Sequence, residues 1–230
     1  MKESNTFNIT QEIDNYNNSV GELQGQDCHI CKNKGYIAIE INGQMAMQPC
    51  KCIPVRTAIK LMAQSGIKTA YTLKDFKVQS LWQRNMLDTA TRFLEDTEGN
   101  WFYAGGQVGS GKTMICTAII NELLKRLIPC KYMLWRDEVV RLKANVNEAE
   151  EYRGLVEPLK KMQVLYIDDF FKTEKGKLPT QADINLAFEI INYRYNDPKL
   201  VTVISCERDV TELLDIDEAV GSRIYQRTKK

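Results

Sequence analysis

From about residue 69 onward, two hydrophobic rhythms alternate along the chain. Short continuous runs, Trp101-Phe102-Tyr103-Ala104, Val164-Leu165-Tyr166-Ile167 and Leu200-Val201-Thr202-Val203-Ile204, have the length and side chains of buried strands. Between them apolar residues recur at helical spacing, most clearly over 114–124. The pattern predicts a helix over 82–95, a strand at 101–104 and a helix over 112–127 ending before Pro129. A strand at 131–135 follows, then two helices within 136–162 split around 145–148. Next come a strand at 164–169, a helix over 184–195 that Asp197-Pro198 ends, a strand at 200–205 and a helix over 218–227. Strands alternating with helices predict an α/β domain on a parallel sheet.

Upstream the rhythm changes. Residues 36–47 carry Asn42-Gly43, a strong hairpin signal, because a type I′ turn needs positive φ at both central positions. If Ile41 pairs with Gln44, the register sets Gly35 opposite Cys50. Residues 1–27 are polar, Asn-rich and carry net charge −4. They read as a disordered arm or as an acidic docking segment, since Ile9, Ile13 and Tyr16 would share one face of a short helix. Residues 51–77 carry net charge +5 and read as a basic linker that touches DNA or is simply solvated. The expected domains are an arm at 1–27, a small module and linker at 28–68, and an α/β domain at 69–230.

The 230-residue length suits one α/β domain with a small appendage. A formal net charge of +1 gives no global field for nucleic acid, so such binding would need a local patch. No apolar run approaches membrane-spanning length and the N-terminus is no signal peptide. Seven cysteines without that signal predict a reducing cytoplasm, with thiols free or bound to metal.

Three clusters carry candidate chemistry. Gly106-Gln107-Val108-Gly109-Ser110-Gly111-Lys112-Thr113 is G-x-x-x-x-G-K-[ST] between a predicted strand and a predicted helix. Its glycines would turn backbone N–H groups toward phosphate oxygens, Lys112 would reach the β- and γ-phosphates of ATP, and the Thr113 hydroxyl would ligate Mg²⁺. Asp168-Asp169 ends a later strand. Asp168 would hold Mg²⁺ through water, and Asp169 would orient or deprotonate the attacking water. Cys28-x-x-Cys31 and Cys50-x-Cys52 flank the hairpin, which would bring four thiolates together as a closed, structural Zn²⁺ site. His29, the single histidine, reads as a bystander. Arg223, on the last predicted helix, could act as an arginine finger on a neighbouring subunit.

These motifs, in this order, resemble the helicase loaders of the DnaC/DnaI type, within the AAA+ ATPases, over residues 28–227. The resemblance rests on the cysteine hairpin, the Walker A loop 106–113 and the Walker B strand Tyr166-Ile167-Asp168-Asp169. It also rests on Val203-Ile204-Ser205-Cys206-Glu207 at the sensor 1 position and on Gly221-Ser222-Arg223-Ile224 as box VII. It implies an AAA+ P-loop core without a C-terminal lid, preceded by a zinc-binding hairpin domain. It implies a Mg²⁺-dependent ATPase, slow and used as a switch. It implies homo-oligomers sharing ATP sites through Arg223, a grip on the replicative hexameric helicase, and delivery of that helicase onto single-stranded DNA. The stretch 136–162 resembles the extra helical element of the initiator and loader clade, making Lys143, Lys160 and Lys161 candidate DNA contacts. One departure concerns sensor 1, where the clade often has Asn: Glu207 aligns there, with Ser205 two residues earlier. Two other readings stand beside it: an IstB-type transposition ATPase, which shares the core but against which the N-terminal zinc hairpin speaks, and a zinc-domain adaptor with a vestigial ATP site, for which Glu207 gives room.

Overall fold

A computed structural model of the protein describes residues 8–174 and 176–228. Residues 1–7 of the expected arm, with Lys2 and Glu3, lie outside the described residues. The chain divides into two compact units, 1–60 and 61–230. No helix among the described residues is long and apolar enough to cross a membrane.

The first unit begins with helix α1 (Ile9–Asn18), whose Asn8 cap accepts a hydrogen bond from the Gln11 amide. Ile9, Ile13 and Tyr16 are half-buried on α1, the face expected from their spacing. Strands β1 (Tyr36–Ile41) and β2 (Gln44–Pro49) pair antiparallel with Ile41 opposite Gln44. Asn42 (φ 54°) and Gly43 (φ 76°) form the turn. The Asn17 side chain extends the hairpin sideways, donating to the Ala38 carbonyl and accepting from its amide, each at 2.9 Å.

The expected basic linker begins instead as a regular helix, α2 (Cys52–Ser65). Pro54 sits in its first turn, where a missing N–H costs nothing. Val55 and Ile59 stay 45% and 44% exposed, so no clean apolar stripe marks this helix in the sequence.

In the second unit a single 3-10 turn (Leu73–Asp75) leads to α3 (Leu81–Glu95), β3 (Phe102–Gly105), α4 (Lys112–Lys125) and β4 (Cys130–Leu134). Helices α5 (Trp135–Ala144) and α6 (Ala149–Lys161), strand β5 (Val164–Phe170) and helix α7 (Gln181–Tyr195) follow. Strand β6 (Val201–Cys206) and helices α8 (Val210–Ile216) and α9 (Glu218–Arg227) complete it. The four strands run parallel in the order β3-β6-β5-β4.

Both faces of this sheet are covered, as parallel sheets require. The two-residue alternation of β5 sends Val164 and Tyr166 to a core with Phe93 of α3 and Ile119 and Leu123 of α4. Leu165 and Ile167 go to the opposite core, with Leu142, Leu159 and Ile190 of α5, α6 and α7. Each such aliphatic side chain contributes roughly 1.5–3 kcal/mol on burial.

The α8 helix is absent from the sequence expectations because it is only seven residues long. Its reciprocal cap, Asp209 with Glu212, was nonetheless present in the sequence. Gly221 lets α9 lie against α8: a Cβ there would come within 2.8 Å of the Leu214 amide nitrogen.

Arg194 is fully buried, an unusual place for a guanidinium. It donates to the carbonyls of Leu159 and Lys160 (both 3.1 Å), Met162 (2.7 Å) and Val201, and to Thr202 Oγ1 (3.0 Å). Burial lowers its pKa to about 9, which leaves it charged at neutral pH. It therefore ties the end of α6 to the start of β6. Arg194→Met would strand these carbonyls without a donor, and we expect a loss of about 3–5 kcal/mol in urea unfolding. A loss below about 1 kcal/mol would mean that water replaces the guanidinium.

Candidate functional site

Loop 106–111 joins β3 to α4, and three of its glycines have left-handed φ: Gly106 (124°), Gly109 (80°) and Gly111 (88°). Side-chain-bearing residues avoid that region, so the glycines are what allow a concave row of N–H groups. At Gly111, which caps α4, a Cβ would also come within 2.8 Å of the Phe76 ring. Lys112 is 6% exposed and folds over the loop, donating to the carbonyls of Gly106 and Gln107 at 2.7 Å each. Ser110 Oγ is 3.4 Å from the same ammonium, while Val108 stands exposed at the loop tip.

Asp168, 5% exposed at the end of β5, accepts four hydroxyl hydrogen bonds. Thr113 Oγ1 donates at 3.1 Å, Tyr132 at 3.0 Å and Tyr166 at 2.7 Å, and Ser205 completes the set. Thr113 and Asp168, named from motifs 55 residues apart in sequence, thus meet. Their hydroxyl and carboxylate are hard oxygen donors that fit Mg²⁺. Burial pushes the Tyr132 hydroxyl above its ordinary pKa, so it stays a neutral donor.

Asp169 lies at φ 54°, left-handed, and its amide donates to Ser205 Oγ at 3.0 Å. Its carboxylate is 3.0 Å from Lys172 Nζ, which is also 3.0 Å from Glu207. Hydrogen bonds from the Lys172 ammonium to Glu207 and then Asp169 raise the Lys172 pKa. Ser205 and Glu207, both named for the sensor position, therefore occupy different places. Ser205 supports the two aspartates, and Glu207 holds a lysine. Tyr132 and Lys172 are contacts that sequence reasoning did not name, and Tyr166, named only within the strand motif, joins them at Asp168.

Arg223 is not brought to this cluster. It is half-buried against α7, donating to Asn192 Oδ1 (2.9 Å) and the Ala219 carbonyl (2.7 Å), with the rings of Phe188 and Tyr195 beside it. The three lysines named for DNA are all paired with acids: Lys143 with Asp183, Lys160 with Glu157 and Glu189, and Lys161 with Glu157.

In the first unit the sulfurs of Cys28, Cys31, Cys50 and Cys52 all lie within 4.8 Å of one another. Cys28 and Cys50 are 3.7 Å apart and Cys31 and Cys52 3.6 Å. Four sulfurs about 2.3 Å from a central Zn²⁺ would be separated by about 3.8 Å, so the spacing fits a tetrahedral ion and excludes a disulfide. Left-handed turns at Lys32 and Asn33 close the first pair, and the Gly35 amide donates to Cys31 Sγ at 3.3 Å. The Cys31 amide holds the Cys28 thiol below its ordinary pKa, while burial pushes the Cys52 thiol up to about 11. His29 is exposed and outside the cluster, while Cys116, Cys130 and Cys206 are buried free thiols.

A parallel sheet with a glycine loop at one strand end and paired aspartates at another defines a P-loop ATPase of AAA+ type. The chain belongs to the family of IstB-like ATP binding proteins, whose model matches residues 54–218. It is 33% identical over 192 residues to the uncharacterized protein YqaM of Bacillus subtilis (strain 168), covering 77% of this chain but 59% of YqaM. It is 30% identical over 214 residues to the phage-like element PBSX protein XkdC of the same organism, covering 87% and 79%. Among solved structures, the DnaC helicase loader shares the fold with TM-score 0.60 at 23% identity, over 70% of this chain and 97% of that one. DnaI shares it with TM-score 0.58 at 21% identity, over 69% and 88%. The replication initiator DnaA bound to AMPPCP and single-stranded DNA shares it with TM-score 0.59 at 22% identity, over 71% and 50%.

Proposed function

We propose that this chain is an ATP-switched loader that binds the replicative hexameric helicase and delivers it onto single-stranded DNA. The observation that supports this most is the fold shared with a helicase loader along 97% of that protein's chain. The proposed domains are the arm at 1–27, the zinc and helicase-binding module at 28–68, and the ATPase at 69–230. The Gly106–Thr113 loop takes the phosphates, and the Lys112 ammonium exchanges two loop carbonyls for β- and γ-phosphate oxygens. Thr113 and Asp168 hold Mg²⁺, which would neutralise phosphate charge. Asp169 orients the attacking water, and Ser205 keeps both aspartates in place. Arg223 acts across a subunit interface, so hydrolysis follows assembly. The cysteine module grips the helicase, and the ATP state sets that grip. Lys143, Lys160 and Lys161 would meet DNA phosphates by exchanging their ion pairs with Asp183, Glu157 and Glu189.

The test is to mix the full chain with the replicative helicase, with ATP or ADP, and to measure complex mass and loading onto single-stranded circles. We expect a complex whose loading requires ATP. Absence of a complex with either nucleotide would reject the reading. The match to the IstB-like model favours a second one, a transposition ATPase. That reading predicts ATP-dependent binding to duplex DNA and to a transposase, and no helicase complex.

A further inference from the structure

We infer that Lys172, anchored by Glu207, is the residue through which this site registers a γ-phosphate. The inference rests on the ATP reading of the loop and deepens it. Two features of the site conflict. The strand order places β6 between β3, which carries the loop, and β5, which carries the aspartates. Cys206, the last residue of β6, pairs with both Gly105 and Phe170. The next residue, Glu207, therefore stands beyond the central strand, at the mouth between loop and aspartates. A lone carboxylate there would repel a γ-phosphate.

Lys172 resolves the conflict. Its ammonium sits 3.0 Å from both Glu207 and Asp169, bridging the ends of β6 and β5. Its backbone is fixed by a tight turn: Asp169 and Phe171 are both left-handed, and the Lys172 amide donates to the Asp169 carbonyl at 3.0 Å. Phe171 is fully buried, stacked 4.2 Å from Phe170 and edge-on to Trp135. The side chain as a whole remains one-third exposed. A rigid base thus carries a long, movable cation.

As arranged here, that cation neutralises Asp169. A γ-phosphate offers it a stronger anion. Lys172 then leaves Asp169, keeps Glu207 and meets the phosphate, and the Asp169 carboxylate becomes free to orient water. A nucleoside diphosphate lacks the group that draws the lysine away. The site would thus tell tri- from diphosphate by a lysine where the resembling clade often uses an asparagine.

The experiment measures binding of fluorescent Mg-ADP and Mg-ATPγS to the full chain, for wild type, Lys172→Met, Lys172→Arg and Glu207→Gln. Lys172→Met should cut the preference for ATPγS over ADP about tenfold and leave ADP affinity within about twofold. Lys172→Arg should keep most of the preference, and Glu207→Gln, which removes the anchor together with the carboxylate's repulsion of the γ-phosphate, should shift the ratio by less than Lys172→Met does. An unchanged ATPγS-to-ADP ratio in Lys172→Met overturns the inference, and so does an equal loss of both ligands. If Lys172→Met melts early, Lys172→Gln, which keeps a polar side chain without the charge, decides: a wild-type ratio there overturns it. A wild-type protein that binds neither nucleotide overturns the ATP reading itself, an outcome separate from lost discrimination.

Discussion

Lys112→Ala should lower ATP hydrolysis at least about 100-fold, and Asp168→Asn should do the same in the presence of Mg²⁺. The reasons differ. Lys112 is the buried cation of a loop otherwise built from backbone, so alanine leaves the N–H groups but removes the charge that meets the phosphates. The substitution should spare the fold, because the ammonium contacts only the loop itself. Asp168→Asn keeps the shape and the hydrogen-bonding hydroxyls around it, but takes away the carboxylate beside Thr113. Turnover near wild type in either variant would remove the catalytic assignment. Mixing experiments extend the test to Arg223. A site shared between subunits means that Arg223→Ala and Lys112→Ala proteins, each inactive, regain part of the activity when mixed. A Lys112→Ala subunit still offers its Arg223 to a neighbour's intact loop. No recovery on mixing would make Arg223 a residue of the α7–α9 packing alone, where its contacts to Asn192 and two rings already give it a structural role.

The core of the second unit was readable because its strands are continuous apolar runs and its helices carry periodic ones. The loop and the aspartates were readable because each belongs to a contiguous motif. What surrounds Asp168 was only half legible. Tyr166 lies two residues before Asp168, so strand alternation alone puts both on one face. Tyr132 is different: it reaches Asp168 because β4 pairs with β5 with Tyr132 opposite Tyr166, a register no local pattern specifies. Lys172 depends on two non-glycine residues taking left-handed φ, a conformation for which a sequence gives no warning. Helix α2 was hidden for another reason: its half-exposed apolar residues and Lys/Arg interruptions look like a linker. Arg194 reads as an ordinary helix-surface arginine, and only the tertiary arrangement of carbonyls around it makes it a core residue.

Removing the metal from the four-cysteine site should unfold the first unit and leave the second folded. The first unit buries few hydrophobic side chains. Its buried hydrophobic residues, among those described, are Cys31, Ala38, Cys50 and Cys52. Three of the four are candidate ligands, and the sheet is a single two-stranded hairpin. Such a hairpin is marginal in water, and so few buried side chains cannot offset the chain entropy lost on ordering. A Zn²⁺ held by four thiolates contributes about 10–16 kcal/mol of apparent binding free energy, enough to make the difference. Fresh protein should therefore contain one zinc per chain. Chelation, or Cys50→Ser, should expose the amides of Ala38 and Cys50 to hydrogen exchange, because the Asn17 and Gly35 partners that protect them sit on the same metal-held scaffold. Amides of the parallel sheet, at 102–105 and 201–206, should keep their protection. Zinc far below one per chain would reject the site. Unchanged exchange at Ala38 and Cys50 after the metal is removed would show that α1, through Ile9, Ile13 and Tyr16, supplies more of this unit's stability than its burial indicates.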